Sequence, residues 1–174
     1  EQELLDGAAT AANSAFSADV VVVNTCTVTD EADREARQLI RRIAGRNPEA
    51  RIIVTGCYSQ RAPEELATLP GVSHVVGNSH KPLLGRLTLN VLGSDFESER
   101  AGRAEVFCSD IFLEQELKPE SHFGSGGRTR AVVKVQDGCN ANCSFCIIPA
   151  VRGRSRSLSP GSVVQEISTL VDRG

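Results

Sequence analysis

Residues 19–25 read D-V-V-V-V-N-T. Four consecutive valines predict a strand buried on both faces, as in a parallel sheet. Cys26 stands at its carboxyl end. The period then lengthens. Ala32, Ala36, Leu39, Ile40 and Ile43 fall on one helical face. Thr29 or Asp30 caps that helix, and acids in its first turn and arginines in its last complement the helix dipole. Gly45 ends it. The alternation repeats with a short strand over 51–55, followed by Gly56 and Cys57. Pro63, with Glu64 and Glu65 behind it, opens a second helix, which turns Leu66 and Leu69 inward and stops at Pro70-Gly71. A third strand is predicted over 72–76 and a third helix over 81–92. Strands and helices alternating at this pace predict βαβ units and a parallel, Rossmann-like α/β domain over 1–92.

Residues 93–128 lose the rhythm and read as an interdomain connector, with polar positions and the run Gly124-Ser125-Gly126-Gly127. Phe107, Ile111, Phe112 and Leu113 are apolar enough to dock against something. A second domain is expected over 129–174. It has a strand over 130–136, then a cysteine loop, then a helix capped by Ser159 and opened by Pro160. Val163 or Val164, Ile167, Leu170 and Val171 form that helix's inner face. This is one β-loop-α unit with its chemistry at the strand's carboxyl end, where α/β barrels hold their sites.

The chain has 174 residues, room for one domain or one and a part. Hydrophobic residues at 40% and charged residues at 24% fit a globular chain with a buried core. No apolar run is long enough to span a bilayer, so no membrane segment is expected. Nor does the chain open with a secretory pattern. It begins Glu-Gln-Glu, contains no Met, and ends where a helix should lead into another strand. Both ends read as cut, so a piece of a longer protein is expected. Six cysteines without a secretory signal point to a reducing, cytoplasmic setting and to ligands rather than disulfides. A net charge of −3 argues against a general polyanion binder. Residues 128–156 nevertheless carry Arg128, Arg130, Lys134, Arg152, Arg154 and Arg156 against the single acid Asp137. That patch suits an RNA surface, and equally an ordinary solvated face.

Cys139, Cys143 and Cys146 carry the sharpest chemistry. They read C-N-A-N-C-S-F-C, a C-x3-C-x2-C run. Three thiolates cannot pair evenly as disulfides, but they can converge on one iron–sulfur cluster. On a four-iron cube they leave one iron open for a small molecule. Buried structural cysteines, or a zinc loop missing its fourth ligand, are the plainer readings, although zinc sites usually come as paired knuckles. Cys26 and Cys57 each follow a strand of the first domain, and adjacent parallel strands bring their carboxyl ends to one edge. They read either as part of a second cluster or as buried core thiols. Cys108 has no partner at ligand spacing and reads as incidental.

The cysteine loop, with Phe145 just before its third cysteine, resembles the signature of radical S-adenosylmethionine (SAM) enzymes. N-T-C-T-V-T at 24–29, T-G-C-Y-S-Q at 55–60 and V-V-G-N at 75–78 resemble the amino-terminal domain of the methylthiotransferases. V-K-V-Q-D-G-C-N-A-N-C-S-F-C-I-I-P at 133–149 and V-R-G-R-S-R-S at 151–157 resemble the start of their radical SAM domain, a partial TIM barrel. Thr27-Val28-Thr29 and the arginines from Arg152 to Arg156 look most like the branch that modifies threonylcarbamoyladenosine in tRNA. The other branches modify isopentenyladenosine in tRNA or an aspartate of a ribosomal protein.

The resemblance implies two 4Fe-4S clusters. Cys139, Cys143 and Cys146 would hold the one that binds SAM. Cys26 and Cys57, with a third ligand upstream of residue 1, would hold the auxiliary one. Cleavage of SAM would give a deoxyadenosyl radical that takes the hydrogen from adenine C2. The auxiliary cluster would supply sulfur, and a second SAM the methyl group. Phe145 would pack on the cluster or on SAM, and Arg152 and Arg154 would contact tRNA phosphate. A flavodoxin- or ferredoxin-type donor would supply electrons. Residues 1–174, without the rest of the barrel, are expected to be inactive alone. The reading of another class is a non-catalytic iron–sulfur or zinc protein that binds RNA through 128–156 without cleaving SAM.

Overall fold

A computed structural model describes residues 9–93, 103–117 and 132–172. Four strands form a parallel sheet in the order of the chain: β1 (Val20–Thr25), β2 (Arg51–Gly56), β3 (Val72–Val76) and β4 (Glu105–Phe107). Helix α1 (Asp30–Arg46) joins β1 to β2. Two short helices, α2 (Cys57–Arg61) and α3 (Pro63–Ala67), join β2 to β3. Residues Asn78–Leu83 form a 3-10 segment leading into α4 (Leu84–Gly93). Pro82 lies inside that segment and has no N–H to give, so the regular helix starts later than the predicted 81.

The sheet is covered on both faces, and β2 shows why its sequence is continuously apolar. Ile52 and Val54 pack with Ile40 and Ile43 of α1, Leu66 of α3 and Val75. Ile53 points the other way, to Val76 and to Val91 of α4. Such two-sided burial is what an inner parallel strand requires. The four valines of β1 do not share it. Val23 is buried, but Val22 is 37% exposed. The expected burial on both faces fails here because β1 is an edge strand that, among the described residues, borders β2 alone.

Within the connector the expected docking of Phe107 and Ile111 is seen, and a short strand forms. Glu105–Phe107 pairs with β3 in parallel, Val106 joining one core and Phe107 the other. Alternation over three residues is enough to extend an existing edge. Ile111 is 2% exposed. Further along, the strand expected over 130–136 is formed in its described part only at Gln136. Residues 132–135 are irregular, and β5 (Gln136–Asp137) pairs antiparallel with β6 (Arg156–Ser157). The pairing extends by one further bond, Leu158 N–H to Val135 O at 3.0 Å. Between these strands lie the cysteine loop and α5 (Ile148–Arg152). Helix α6 (Pro160–Asp172) follows, opened as expected by Ser159, whose hydroxyl accepts from Ser162 N–H. Among the described residues no helix is long and apolar enough to cross a membrane.

Candidate functional site

Strands β1 and β2 run in register, with Thr25 opposite Gly56. Cys26 and Cys57 are the next residues on each, so the two cysteines follow paired positions at the carboxyl edge of the sheet. Gly56 makes this possible. Its φ is +102°, and a Cβ there would lie 2.3 Å from the Thr25 carbonyl oxygen. Only glycine lets β2 turn directly into α2 so close to the neighbouring backbone. Cys57 is 6% exposed, while Cys26 faces solvent.

A polar clamp holds this corner. Arg61, at the end of the helix that Cys57 opens, donates from Nε to Thr27 Oγ1 at 2.7 Å. Its Nη2 lies 2.5 Å from Asp33 Oδ2. The turn after Cys26 is thereby tied to the helix after Cys57. Tyr58 is fully buried beneath it, with the guanidinium groups of Arg61 and Arg37 at 5.1 and 5.8 Å from its ring centre. Burial and neighbouring Glu65 push the Tyr58 hydroxyl up, against a hydrogen bond from Arg37. Between β1 and α1 a cavity of about 580 Å³ opens beside Cys26, lined by Val23, Asn24, Ala32, Ala36 and Leu39 among others.

The second set of thiols sits on a loop pinned at its ends. Gly138 has φ +74°, and a Cβ there would lie 2.1 Å from the Arg154 carbonyl oxygen. Cys139 N–H donates to Gly153 O at 3.1 Å, and Ser155 N–H to Asn140 Oδ1 at 3.0 Å. Cys146 N–H donates to Cys143 O at 3.0 Å, which folds the loop back on itself. Cys139 and Cys146 are half-buried and Cys143 is exposed. Phe145 is 90% exposed.

Helix α5 brings the loop's far end to the first sheet. Asn78, just after β3, donates from Nδ2 to Val151 O at 2.8 Å and lies 3.6 Å from Cys57 Sγ. Val151 is fully buried. Arg152 Nη1 lies 3.6 Å from Asp137 Oδ1. The Arg152 guanidinium is held above its ordinary value by a hydrogen bond to Cys57, and more weakly by Asp137 and Cys26, against the effect of burial. Burial pushes the Asp137 carboxyl up, but Gly138 N–H, Lys134 and Arg152 outweigh it and hold it below the usual carboxylate range. Arg152, with 48% of its side chain exposed, and Arg154 both reach the surface, and the Arg154 carbonyl closes against the Gly138 corner.

The structure thus brings Cys26 and Cys57 to one edge of the sheet and sets Arg152 beside the corner that precedes Cys139. It does not gather the loop thiols. Among the described residues no three His, Cys, Asp or Glu side chains converge as metal ligands. The donor set nevertheless fits an iron–sulfur group. All six cysteines are free, and three of them share one short loop that carries no carboxylate or imidazole between Cys139 and Cys146. Sequence reasoning missed the Arg61 clamp, Asn78 and the Asp137–Arg152 pair. Asn78 carried a signal, because it follows a strand at the same edge as both cysteines. Asp137 carried another, as the one acid in a basic stretch.

Comparison with known proteins matches these regions to one group. The model of Uncharacterized protein family UPF0004 matches residues 2–77. The chain is 40% identical over 162 residues to the threonylcarbamoyladenosine tRNA methylthiotransferase MtaB of Bacillus subtilis, covering 91% of this chain and 34% of that protein. It is 41% identical over 157 residues to the protein of the same name from Aquifex aeolicus, covering 90% and 37%. Ribosomal protein uS12 methylthiotransferase RimO of Sorangium cellulosum is 38% identical over 183 residues, covering 100% and 35%. The chain spans about a third of the length of these relatives. With both cysteine regions inside the matched stretches, the chain is similar over about nine tenths of its length to methylthiotransferases, among them two named for threonylcarbamoyladenosine in tRNA.

Proposed function

We propose that the full-length protein is a radical SAM methylthiotransferase acting on C2 of N6-threonylcarbamoyladenosine at position 37 of tRNA, beside the anticodon. The observation that carries this reading is the docking of the helix that follows the cysteine loop beside Cys57, with Asn78 donating to Val151 O and lying 3.6 Å from Cys57 Sγ. In-register strands bring Cys26 and Cys57 to one edge of the sheet, and Arg152 lies 3.6 Å from Asp137 at the corner that leads into Cys139. Relatives named for this activity align across both regions.

In this reading Cys139, Cys143 and Cys146 hold the 4Fe-4S cluster that takes SAM. Cys26 and Cys57, with a ligand outside the described residues, hold the auxiliary cluster. When bound, these groups supply the hydrogen abstraction at adenine C2, the sulfur that replaces the hydrogen, and the methyl group. The chain's own part is placement and shielding. Helix α5 roofs Cys57 and keeps water from it. The exposed Cys143 and Phe145 lie on the side open to SAM, and Phe145 offers an aromatic face to its adenine. Arg152 and Arg154, both exposed, can turn outward to tRNA phosphate. The electron comes from a flavodoxin- or ferredoxin-type donor, and a tRNA substrate implies a cytoplasmic location.

The test expresses the full-length protein in a bacterium lacking its own methylthiotransferases and analyses tRNA nucleosides by mass spectrometry. A 2-methylthio form of threonylcarbamoyladenosine, lost on Cys139→Ala, is the expected result. Unmodified tRNA together with methylthio-aspartate on ribosomal protein uS12 would move the assignment to the branch of the Sorangium relative. A folded, iron-loaded protein that never releases deoxyadenosine from SAM would mark a binding module instead.

A further inference from the structure

The turn Thr27-Val28-Thr29, which leaves the sheet after Cys26, turns both of its hydroxyls toward the protein. Thr27 is 6% exposed, and its Oγ1 accepts from Arg61 Nε at 2.7 Å. Thr29 Oγ1 accepts from Ala32 N–H at 3.2 Å and so caps α1. Asp33 N–H donates to Thr29 O at 3.3 Å. The turn is therefore pinned on either side of Val28, whose side chain stands out with 60% of the residue exposed. An apolar residue just before a helix cap ordinarily packs on the fourth residue of the helix. Here that residue is Asp33, a buried carboxylate already engaged by Arg61. Helix α1 thus offers Val28 no apolar partner at the usual place.

A single exposed valine is ordinary. Its place in the fold sets this one apart. The turn springs from the carboxyl end of β1, the edge outside which open parallel sheets bind their ligands. Cys26 beside it is exposed as well. Helix α5 docks at the same edge, where Asn78 holds Val151 O at 2.8 Å. Arg152 and Arg154, at the end of that helix, are both exposed. Cations hold a nucleic acid by its phosphates, while an apolar side chain meets the face of an unstacked base. We infer that Val28 is a substrate-contact residue, a rigidly held apolar post for the face of a base in the tRNA anticodon loop. This rests on the reading above that tRNA is the substrate. The two threonines of the motif act only on the turn, and the valine between them acts on the RNA.

The experiment uses the full-length protein without SAM and a fluorescein-labelled anticodon stem-loop carrying threonylcarbamoyladenosine. Binding is read by anisotropy at several salt concentrations. Val28→Ser is expected to raise Kd by about tenfold, the scale of a lost apolar contact, and Val28→Ile to keep it. The slope of log Kd against log salt is expected to hold, because no phosphate contact is removed. In the enzyme assay Val28→Ser should raise KM for tRNA and leave kcat as it was. An unchanged Kd overturns the inference. A flattened salt slope also overturns it, since a phosphate contact would then have moved. If Val28→Ser lowers the melting temperature, Val28→Thr, which keeps the shape and exchanges one methyl for a hydroxyl, carries the test with the same outcomes. A protein that modifies tRNA while its Val28 variants bind normally overturns only the role of Val28. An unsubstituted protein that binds no stem-loop and modifies no tRNA overturns the reading of function as well.

Discussion

Arg61 and Asp33 meet at 2.5 Å across the corner that carries Cys26 and Cys57. Asp33 is 4% exposed, one turn into α1, and Arg61 closes the short helix that Cys57 opens. A buried carboxylate is tolerated here because a guanidinium faces it, and that same guanidinium also reaches Thr27.

Removing the cation should therefore hurt more than removing the anion. Arg61→Ala leaves a buried charge unpaired and is expected to destabilise by on the order of 3 kcal/mol. Asp33→Ala leaves an arginine whose side chain is 37% exposed and can rehydrate, so its loss should be smaller. Paired urea melts measure the difference. Equal losses would mean that the pair is not the source of the clamp.

Gly56→Ala forces a Cβ against the Thr25 carbonyl and a side chain into the left-handed region. The strained backbone alone should cost about 1–3 kcal/mol, before the clash is relieved. Because the clash separates β1 from α2, iron retained at Cys26 and Cys57 should fall more steeply than overall stability. Metal analysis alongside a thermal melt checks this.

Asn78→Ala removes the donor that fixes Val151 O. The net loss should be about 1 kcal/mol, the worth of one ordinary hydrogen bond. Its signature is local. Amide exchange over 148–152 should quicken severalfold while the β2 core, with Ile52 and Ile53 fully buried, stays protected. Uniform quickening throughout the sheet would rule out a docking role.

Burial pushes the Cys108 thiol up, against a hydrogen bond with Ser79. The sign follows directly. A group whose folded value is raised contributes stability that is whole below its unfolded value, about pH 8.5 for a thiol, and is lost as pH rises through the folded value. Stability should decline on the alkaline side, and Cys108→Ala should flatten that decline. Alkylation followed by mass spectrometry should find Cys108 slower than the exposed Cys26 and Cys143.

The first three strands and α1 are legible in the sequence because each carries its own period, and β2 advertises two covered faces in Ile52-Ile53-Val54. Strand β4 is not legible, since three residues in a polar connector become a strand only when β3 offers an edge. The opposite error occurs at 132–135, where an apolar run forms no strand although Val135 O accepts from Leu158 N–H, and Val132 and Val135 remain exposed. Of the site, the placing of Cys26 and Cys57 at one edge follows from parallel pairing alone. The Asp137–Arg152 pair does not. It depends on α5 folding back over α2, a tertiary event that leaves no local period.

The loop from Cys139 to Gly153 begins and ends at the same place, its first N–H bonded to its last carbonyl. Closing a flexible segment of this kind costs chain entropy that grows slowly with its length. Here that closure is complete in the protein alone, made by backbone hydrogen bonds and by a glycine corner too tight for any side chain. A group captured by Cys139, Cys143 and Cys146 has only to order thiols within a ring already shut. Its binding is then governed by sulfur chemistry rather than by chain ordering, and the loop can release and regain it without the surrounding fold coming apart.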